Sequence, residues 1–445
     1  MDRIKTFGQT GQDVRQRRRW LAAWAGLAGA AVLAVAGCGG SSNNSGSDTA
    51  SVRLLNASTG YASLDLALGT TSTNTAISPG AVGSYADVAT TGVATVITAT
   101  GSPAALSSIT RTFSKATHYT LMAYGQAGAL KTVMIAEEVA AAASGQASLQ
   151  TLNLALNAGT LDIYLTGSAD ALADASPVAT GVAAGGNTSF TTLTAGTYRL
   201  RVTGSGDKTD LRLDVQGLVL GSTQVASLVL SEGIGGVLVN SVLVQQQGTS
   251  AALNNTQARV RVVSAVTAGA SVTARVGGTP VAAGVTAPNI GSYAQVAGGG
   301  TVPVLLSVNG TAVAVASQPL PVGGDFTLLV WGTAAAPQVT RLVDDNRYPT
   351  VAGNAKIRLI NGTTGTATAM TLKADFSAVA ASINPGQASD YGNVAANNAM
   401  RLDVSSGSNA TLFTLTGATV AAKGLYTMYL LGDAAAPVAD FRRDR

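Results

Sequence analysis

The sequence predicts an all-β protein: four tandem immunoglobulin-like antiparallel β-sandwich domains after an N-terminal signal helix. Three observations carry this expectation. Apolar residues alternate with a period of two: in TYRLRVTG, Tyr198, Leu200 and Val202 share one face and Arg199, Arg201 and Thr203 the other, and in MRLDV, Met400, Leu402 and Val404 oppose Arg401 and Asp403. Turn signals rich in Pro and Gly separate such runs, as in ISPGAVG, LTAGTY, PVGGDF and INPGQA. Finally, the runs recur. SVRLLNAS from Ser51, RVRVVSA from Arg259 and KIRLING from Lys356 overlay, as do HYTLMAYG from His118, DFTLLVWG from Asp325 and LYTMYLLG from Leu425.

Taken in order, residues 1–37 read as a lipoprotein signal peptide. A basic patch of Arg15, Arg17, Arg18 and Arg19 precedes the uncharged run Trp20 to Gly37. Val35-Ala36-Gly37-Cys38 resembles the bacterial lipobox. That resemblance implies a diacylglyceryl thioether on Cys38, cleavage before it and acylation of the new amine. Cys38 is the single cysteine of the chain. Three readings compete. An uncleaved transmembrane helix needs about 20 apolar residues, but this run is rich in Ala and Gly and lacks a basic stop-transfer flank. A buried core cysteine would need better-packing neighbours than Gly39 to Ser47. Arg17-Arg18-Arg19-Trp20-Leu21 also loosely resembles a twin-arginine export signal.

Residues 38–50 form a flexible Gly/Ser/Asn linker, and the repeats are placed at 51–146, 147–250, 251–352 and 353–445. Arg53 to Arg261 and Tyr85 to Tyr293 are both 208 residues, against 97 from Arg261 to Arg358. The longer gap holds two copies. The divergent second one answers with LDIYL at Leu161 to Leu165 for LDLAL at Leu64 to Leu68, and with TSFTTL around Phe190. The Ala-rich run Glu137 to Ser144 reads as an inter-repeat linker.

A further signature follows each opening strand: GSYADV from Gly83, GSYAQV from Gly291 and SDYGNV from Ser389. The closing run LVDDNRYPTVAGNAKIRLIN, Leu342 to Asn361, leads through a Pro-containing linker into the next opening strand. This pattern resembles the bacterial family called domain of unknown function 4397, clearly in repeats one, three and four and faintly in the second. The resemblance implies a sandwich-like β fold in exported, often lipid-anchored proteins. It implies no activity.

The chain has 27 Lys and Arg against 23 Asp and Glu. Residues 1–37 hold six of the basic side chains and two of the acidic ones, so 21 of each remain after cleavage. No electrostatic footprint for nucleic acid is left. Charged residues make up 11% of the chain, against roughly 25% in typical domains.

Little chemistry is legible. A Ser-His-Asp arrangement would have to use the one histidine, His118, but Asp325 and Leu425 occupy its place in other copies, which marks a surface position. Zinc lacks ligands. The pairs Glu137-Glu138 and Asp344-Asp345 suggest either calcium at the junctions or a solvated linker that protects an edge strand. With no spaced D-x-D-x-D loop, and FRRDR closing the fourth copy, the solvated linker is favoured. The Gly298 to Gly300 run has no Lys-Ser/Thr after it and reads as a turn.

Tyr85, Tyr293 and Tyr391 recur at one position, where repeat two has Phe190. A structural role is favoured over a glycan platform. The valines three residues on, Val88, Val296 and Val394, point to the opposite face of a regular strand. The ring is expected inward and its hydroxyl dispensable. No catalytic, cofactor or metal residue is assigned, and Cys38 is the one assigned site.

The expected function is that of a non-enzymatic cell-envelope protein, held to the membrane through lipid on Cys38, in adhesion, scaffolding or surface display. The alternative is a glycan- or protein-binding module of the envelope, and an envelope hydrolase comes third. Gly39, rather than Asp, after the cysteine resembles Gram-negative lipoproteins of the outer membrane.

Overall fold

The computed structural model describes residues 48–445 apart from 268, 366, 367, 408 and 409. Every regular element among them is a strand. Cys38 and the signal segment lie outside the described residues.

The first repeat sets the pattern. Its strands are β1 (Thr49–Ser58), β2 (Leu64–Leu68), β3 (Thr71–Ile77), β4 (Ala86–Ala89), β5 (Val93–Ala99), β6 (Ala105–Arg111), β7 (His118–Gly125) and β8 (Lys131–Ala136). They form two four-stranded sheets, β4-β1-β7-β8 and β3-β2-β5-β6. Alternation builds the core between them: Val52 and Leu54 on β1 meet Leu64 and Leu66 on β2 and Leu121 on β7, all fully buried. Burying one such side chain contributes about 1.5–3 kcal/mol. The other three repeats use the same strand order, each around its own core.

Each sandwich holds one parallel pair among its antiparallel ladders. The opening strand runs alongside the equivalent of β7, so that Arg53 faces Thr120, Arg261 faces Thr327 and Arg358 faces Thr427. In repeat two the sheet gains a fifth strand, Ser250–Leu253, three residues past the boundary drawn from the sequence. Glu137 to Ala143 is irregular chain.

The sandwiches are not beads on a string. Residues on the outer face of β1 and β7, Leu55, Ala57, Met122 and Tyr124, pack against Leu152, Leu154, Val229, Val242 and Val244 of repeat two. Repeats three and four pair through the same sheets, with Val263, Ala265 and Leu329 against Ile360, Tyr429 and Leu431. Gly362 permits this approach, because a Cβ there would stand 2.8 Å from Ala265 Cβ and 2.9 Å from Leu431 Cδ2. Trp331 lies over Gly386 in the same seam, where a Cβ would meet the indole at 2.4 Å.

A second junction joins the two pairs. Gly235 N–H donates to Gly323 O (2.8 Å), Tyr348 N–H to Asn157 Oδ1 (2.8 Å), and Arg445 Nη1 to Gly236 O (3.4 Å). The described residues thereby form one compact unit.

Candidate functional site

The seams contain a polar motif repeated three times. On the opening strand, the residues between the core positions face the partner sandwich, and among them stands an arginine: Arg53, Arg261 or Arg358, each at most 5% exposed. A guanidinium there needs hydrogen bonds and an anion. Its Nε donates to the threonine opposite on the parallel strand, at 2.8 Å to Thr120, 2.9 Å to Thr327 and 3.0 Å to Thr427. That hydroxyl in turn donates to a carboxylate 17 residues downstream, Glu137, Asp344 (2.6 Å) or Asp444 (2.5 Å). A tyrosine completes the set. Its ring lies 4.5–4.7 Å from the guanidinium carbon, for Tyr85, Tyr293 and Tyr391, and its hydroxyl donates to the same carboxylate.

In repeats three and four the motifs are crossed. Arg261 Nη1 lies 2.8 Å from Asp444 Oδ1, and Arg358 Nη2 lies 2.7 Å from Asp344 Oδ1. Each sandwich neutralises the charge of the other. In the first pair the partner surface is uncharged. Arg53 donates to the Gln245 and Gly248 carbonyls, and the Gln247 N–H donates to Glu137 Oε2 at 2.6 Å.

Repeat two replaces the whole motif with neutral groups. Gln150 stands opposite Ser227 as Arg53 stands opposite Thr120, and donates to it at 2.8 Å. Two residues past the register partner of that serine, where the other repeats have the acid, Gln246 exchanges hydrogen bonds with the Val139 backbone. Phe190, next in register to Gln150, has no anion to reach. The hydroxyl is absent where the carboxylate is absent.

Burial by itself would raise the Asp344 pKa, but Arg358, Arg261 and the Thr327 and Tyr293 hydroxyls hold it below the usual carboxylate range. Glu137 is likewise lowered against its burial, by Thr120, Tyr85, the Gln247 N–H and Arg53. Burial and the neighbouring anions push the Tyr85, Tyr293 and Tyr391 hydroxyls up, so they remain donors.

Two sequence expectations are corrected here. Glu137 and Asp344 are not solvated: they are 3% and 1% exposed and bound by guanidinium and hydroxyl groups. Only their neighbours Glu138 and Asp345 reach solvent, at 46% and 39% side-chain exposure. The faces of the fourth strand are also reversed. Val88 and Val296 enter the sandwich cores, and Tyr85 and Tyr293 lie over the arginines of the seam. His118 sits beside the first motif, edge-on to Tyr85 with centroids 5.0 Å apart, and its Nδ1 is 3.3 Å from Glu138 Oε1.

The family model described as Domain of unknown function (DUF4397) matches residues 50–164 and 258–368, together more than half of the chain. The chain belongs to this family. No curated protein matches it. Each DUF4397 match begins in the opening strand of an odd-numbered sandwich and continues through the opening strand of its partner, so it carries one complete Arg-Tyr-Thr-acid motif and crosses one seam.

Glu232 marks the junction between the two pairs. It is 1% exposed, its Oε2 accepts Asn157 N–H (3.2 Å) and Nδ2 (2.5 Å), and its Oε1 has no partner. Burial raises its pKa, and Asn157 and Arg347 offset this only in part. Between the ordinary glutamate value and the raised one, the unfolded chain loses the proton that the folded chain keeps. Stability therefore falls as pH rises through that window. Glu232→Gln should remove this dependence, so its melting temperature should gain on the parent between pH 4 and pH 8. Parallel curves would refute the assignment.

Proposed function

We propose that this DUF4397 protein is a non-enzymatic cell-envelope protein, tethered through lipid on Cys38, in which paired sandwiches form a rigid body for scaffolding or surface display. The observation that supports this most is the reciprocal seam. Arginines, tyrosines and carboxylates capable of chemistry are held in closed motifs that join one sandwich to the next. A stiff body behind a Gly/Ser/Asn segment that ends at residue 48 rather than 50, because Thr49 and Ala50 already belong to β1, suits presentation at a distance from a membrane. The outer membrane of a Gram-negative bacterium is the proposed location.

Acyl chains contribute about 0.8 kcal/mol per buried CH₂, so several together retain a protein that one would release. In a Gram-negative host, Cys38→Ala should abolish acylation and leave an uncleaved precursor or a soluble product. Membrane partitioning with an unchanged mature mass would overturn the proposal.

A further inference from the structure

In each seam sheet one further strand lies beyond the parallel pair: β8 in repeat one, Val239–Gln245 in repeat two, Pro337–Val343 in repeat three and Val438–Arg443 in repeat four. Its outer side is a row of backbone donors and acceptors, which proteins either guard or cover. In repeats three and four the strand guards itself, with Pro337 and Arg341 in one and Asp440, Arg442 and Arg443 in the other. In repeat two the strand VNSVLVQ has no charge, and the chain covers it. Ser250–Leu253 is added antiparallel, with Ser241 facing Leu253 and Leu243 facing Ala251. The strand β8, KTVMIA, is likewise uncharged after Lys131, yet among the described residues no strand covers it.

Register identifies the open backbone groups. Glu137 N–H donates to His118 O (2.8 Å), continuing the ladder with β7. By alternation, the N–H and C=O of Thr132, Met134 and Ala136 point away from β7. These are the equivalents of Ser241, Leu243 and Gln245, because Ile135 faces Thr120 as Val244 faces Ser227. In repeat two that row is used, and Gln245 N–H donates to Thr249 O (2.9 Å). In repeat one it has no hydrogen bond among the described residues. The side chains beside it are apolar and half-buried: Met134 packs on the core of repeat one, and Val133 and Ile135 pack on the seam.

The resting place of an added strand is present as well. Ser250–Leu253 leans on a turn of repeat one, where a Cβ on Gly80 would stand 3.4 Å from Ala252 Cβ. The same turn in repeat two centres on Gly185: Gly80 N–H donates to Asn56 O (2.8 Å) and Gly185 N–H to Asn153 O (2.7 Å). Gly185 lies beside Leu156, which packs on the seam with Val133 and Ile135, and Ala183, Ala184 and Gly185 are exposed. A charged residue laid on this row would lose water and gain no partner. A second copy pairing through its own β8 would set Val133 or Ile135 where repeat two seats Ala252, so the small residues of a different segment fit better.

We propose that β8 docks an extended, uncharged peptide segment of a partner polypeptide as a fifth, antiparallel strand, with small residues against the turn at Gly185. The test is hydrogen exchange of the full chain in detergent, with and without about 1 mM of a synthetic peptide of residues 246–257, which carries Ser250–Leu253. The peptide should slow exchange at the Thr132, Met134 and Ala136 amides about tenfold or more, and leave Val133 and Ile135, already bonded to β7, unchanged. Thr132→Pro removes one outward donor where an edge strand tolerates proline, and should weaken peptide binding about tenfold. Thr132→Val keeps the donor and should bind as the parent does; both variants lose the Arg111 bond to the threonine hydroxyl (2.9 Å). The exchange pattern of the parent needs neither variant to fold. Unchanged β8 amides, protection confined to Ser241, Leu243 and Gln245, or equal protection by a peptide with Ala252→Lys would each overturn the inference. So would β8 amides that are protected in the free chain and lose protection on dilution, the mark of a second copy. None of these arms touches Cys38, so the anchoring proposal stands or falls separately.

Discussion

Replacing Asp344 by Ala should destabilise repeats three and four by about 3–5 kcal/mol, the range found when one member of a buried ion pair is removed. Asp344 has no side-chain exposure and holds Arg358 at 2.7 Å and Arg261 at 3.8 Å. It also accepts the Thr327 and Tyr293 hydroxyls, both at 2.6 Å. Its loss strands a guanidinium, Arg358, that is 1% exposed and whose proton is held more firmly than in water. Trp331, the one tryptophan among the described residues, reports from this seam, so denaturant unfolding followed by its fluorescence should show the shift. Asp440→Ala removes the exposed partner of Arg442 and should cost about 0–1 kcal/mol by the same measurement. Because Asp344 has a lowered pKa, its contribution is complete above the ordinary carboxylate range and is lost as pH falls through the folded value. Equal midpoints for parent and Asp344→Ala would mean that the seam is held by its apolar rim alone.

The sandwich class and the repeats were legible because alternation and turn residues are local signals. The seams were not, for a reason visible in the sequence. HYTLMAYG, DFTLLVWG and LYTMYLLG do not alternate: they are nearly continuous apolar runs, and the strands they form are buried almost throughout. A strand of that kind is covered on both faces, and the second cover here is the partner sandwich. Reading one buried face assigned Tyr293 to the core and Val296 to the surface, whereas Val296 is 1% exposed inside the sandwich and Tyr293 lies in the seam. The carboxylates were hidden by their surroundings. Asp444 sits in FRRDR, which looks unlike LVDD, yet both acids follow their threonine by 17 residues. Spacing counted from the threonine would have aligned them. Partner identity across the seam, Arg261 with Asp444 and Arg358 with Asp344, depends on how two sandwiches dock, and no local pattern encodes that.

Tyr293→Ala should cost about 3 kcal/mol or more, near the lower end for a truncated buried aromatic. Its ring is half-buried and covered by Arg259 and Arg261 at 4.5 and 4.6 Å. The more discriminating variant is Tyr293→Phe. From the sequence its cost should be small, because Phe190 replaces tyrosine in repeat two. The structure removes that inference: Phe190 stands beside Gln150 and Gln246 occupies the acid position, so repeat two has no carboxylate to satisfy. In repeat three the hydroxyl donates to buried Asp344, and a hydrogen bond to a charged group contributes about 1.5–3 kcal/mol. Tyr293→Phe should lose that amount while keeping the stacking. In an Asp344→Asn background, which leaves no anion to satisfy, the same substitution should cost measurably less, and the difference is the coupling between hydroxyl and carboxylate. If Tyr293→Phe unfolds at the parent midpoint, the hydroxyl is a bystander and the ring alone holds the guanidinium in place.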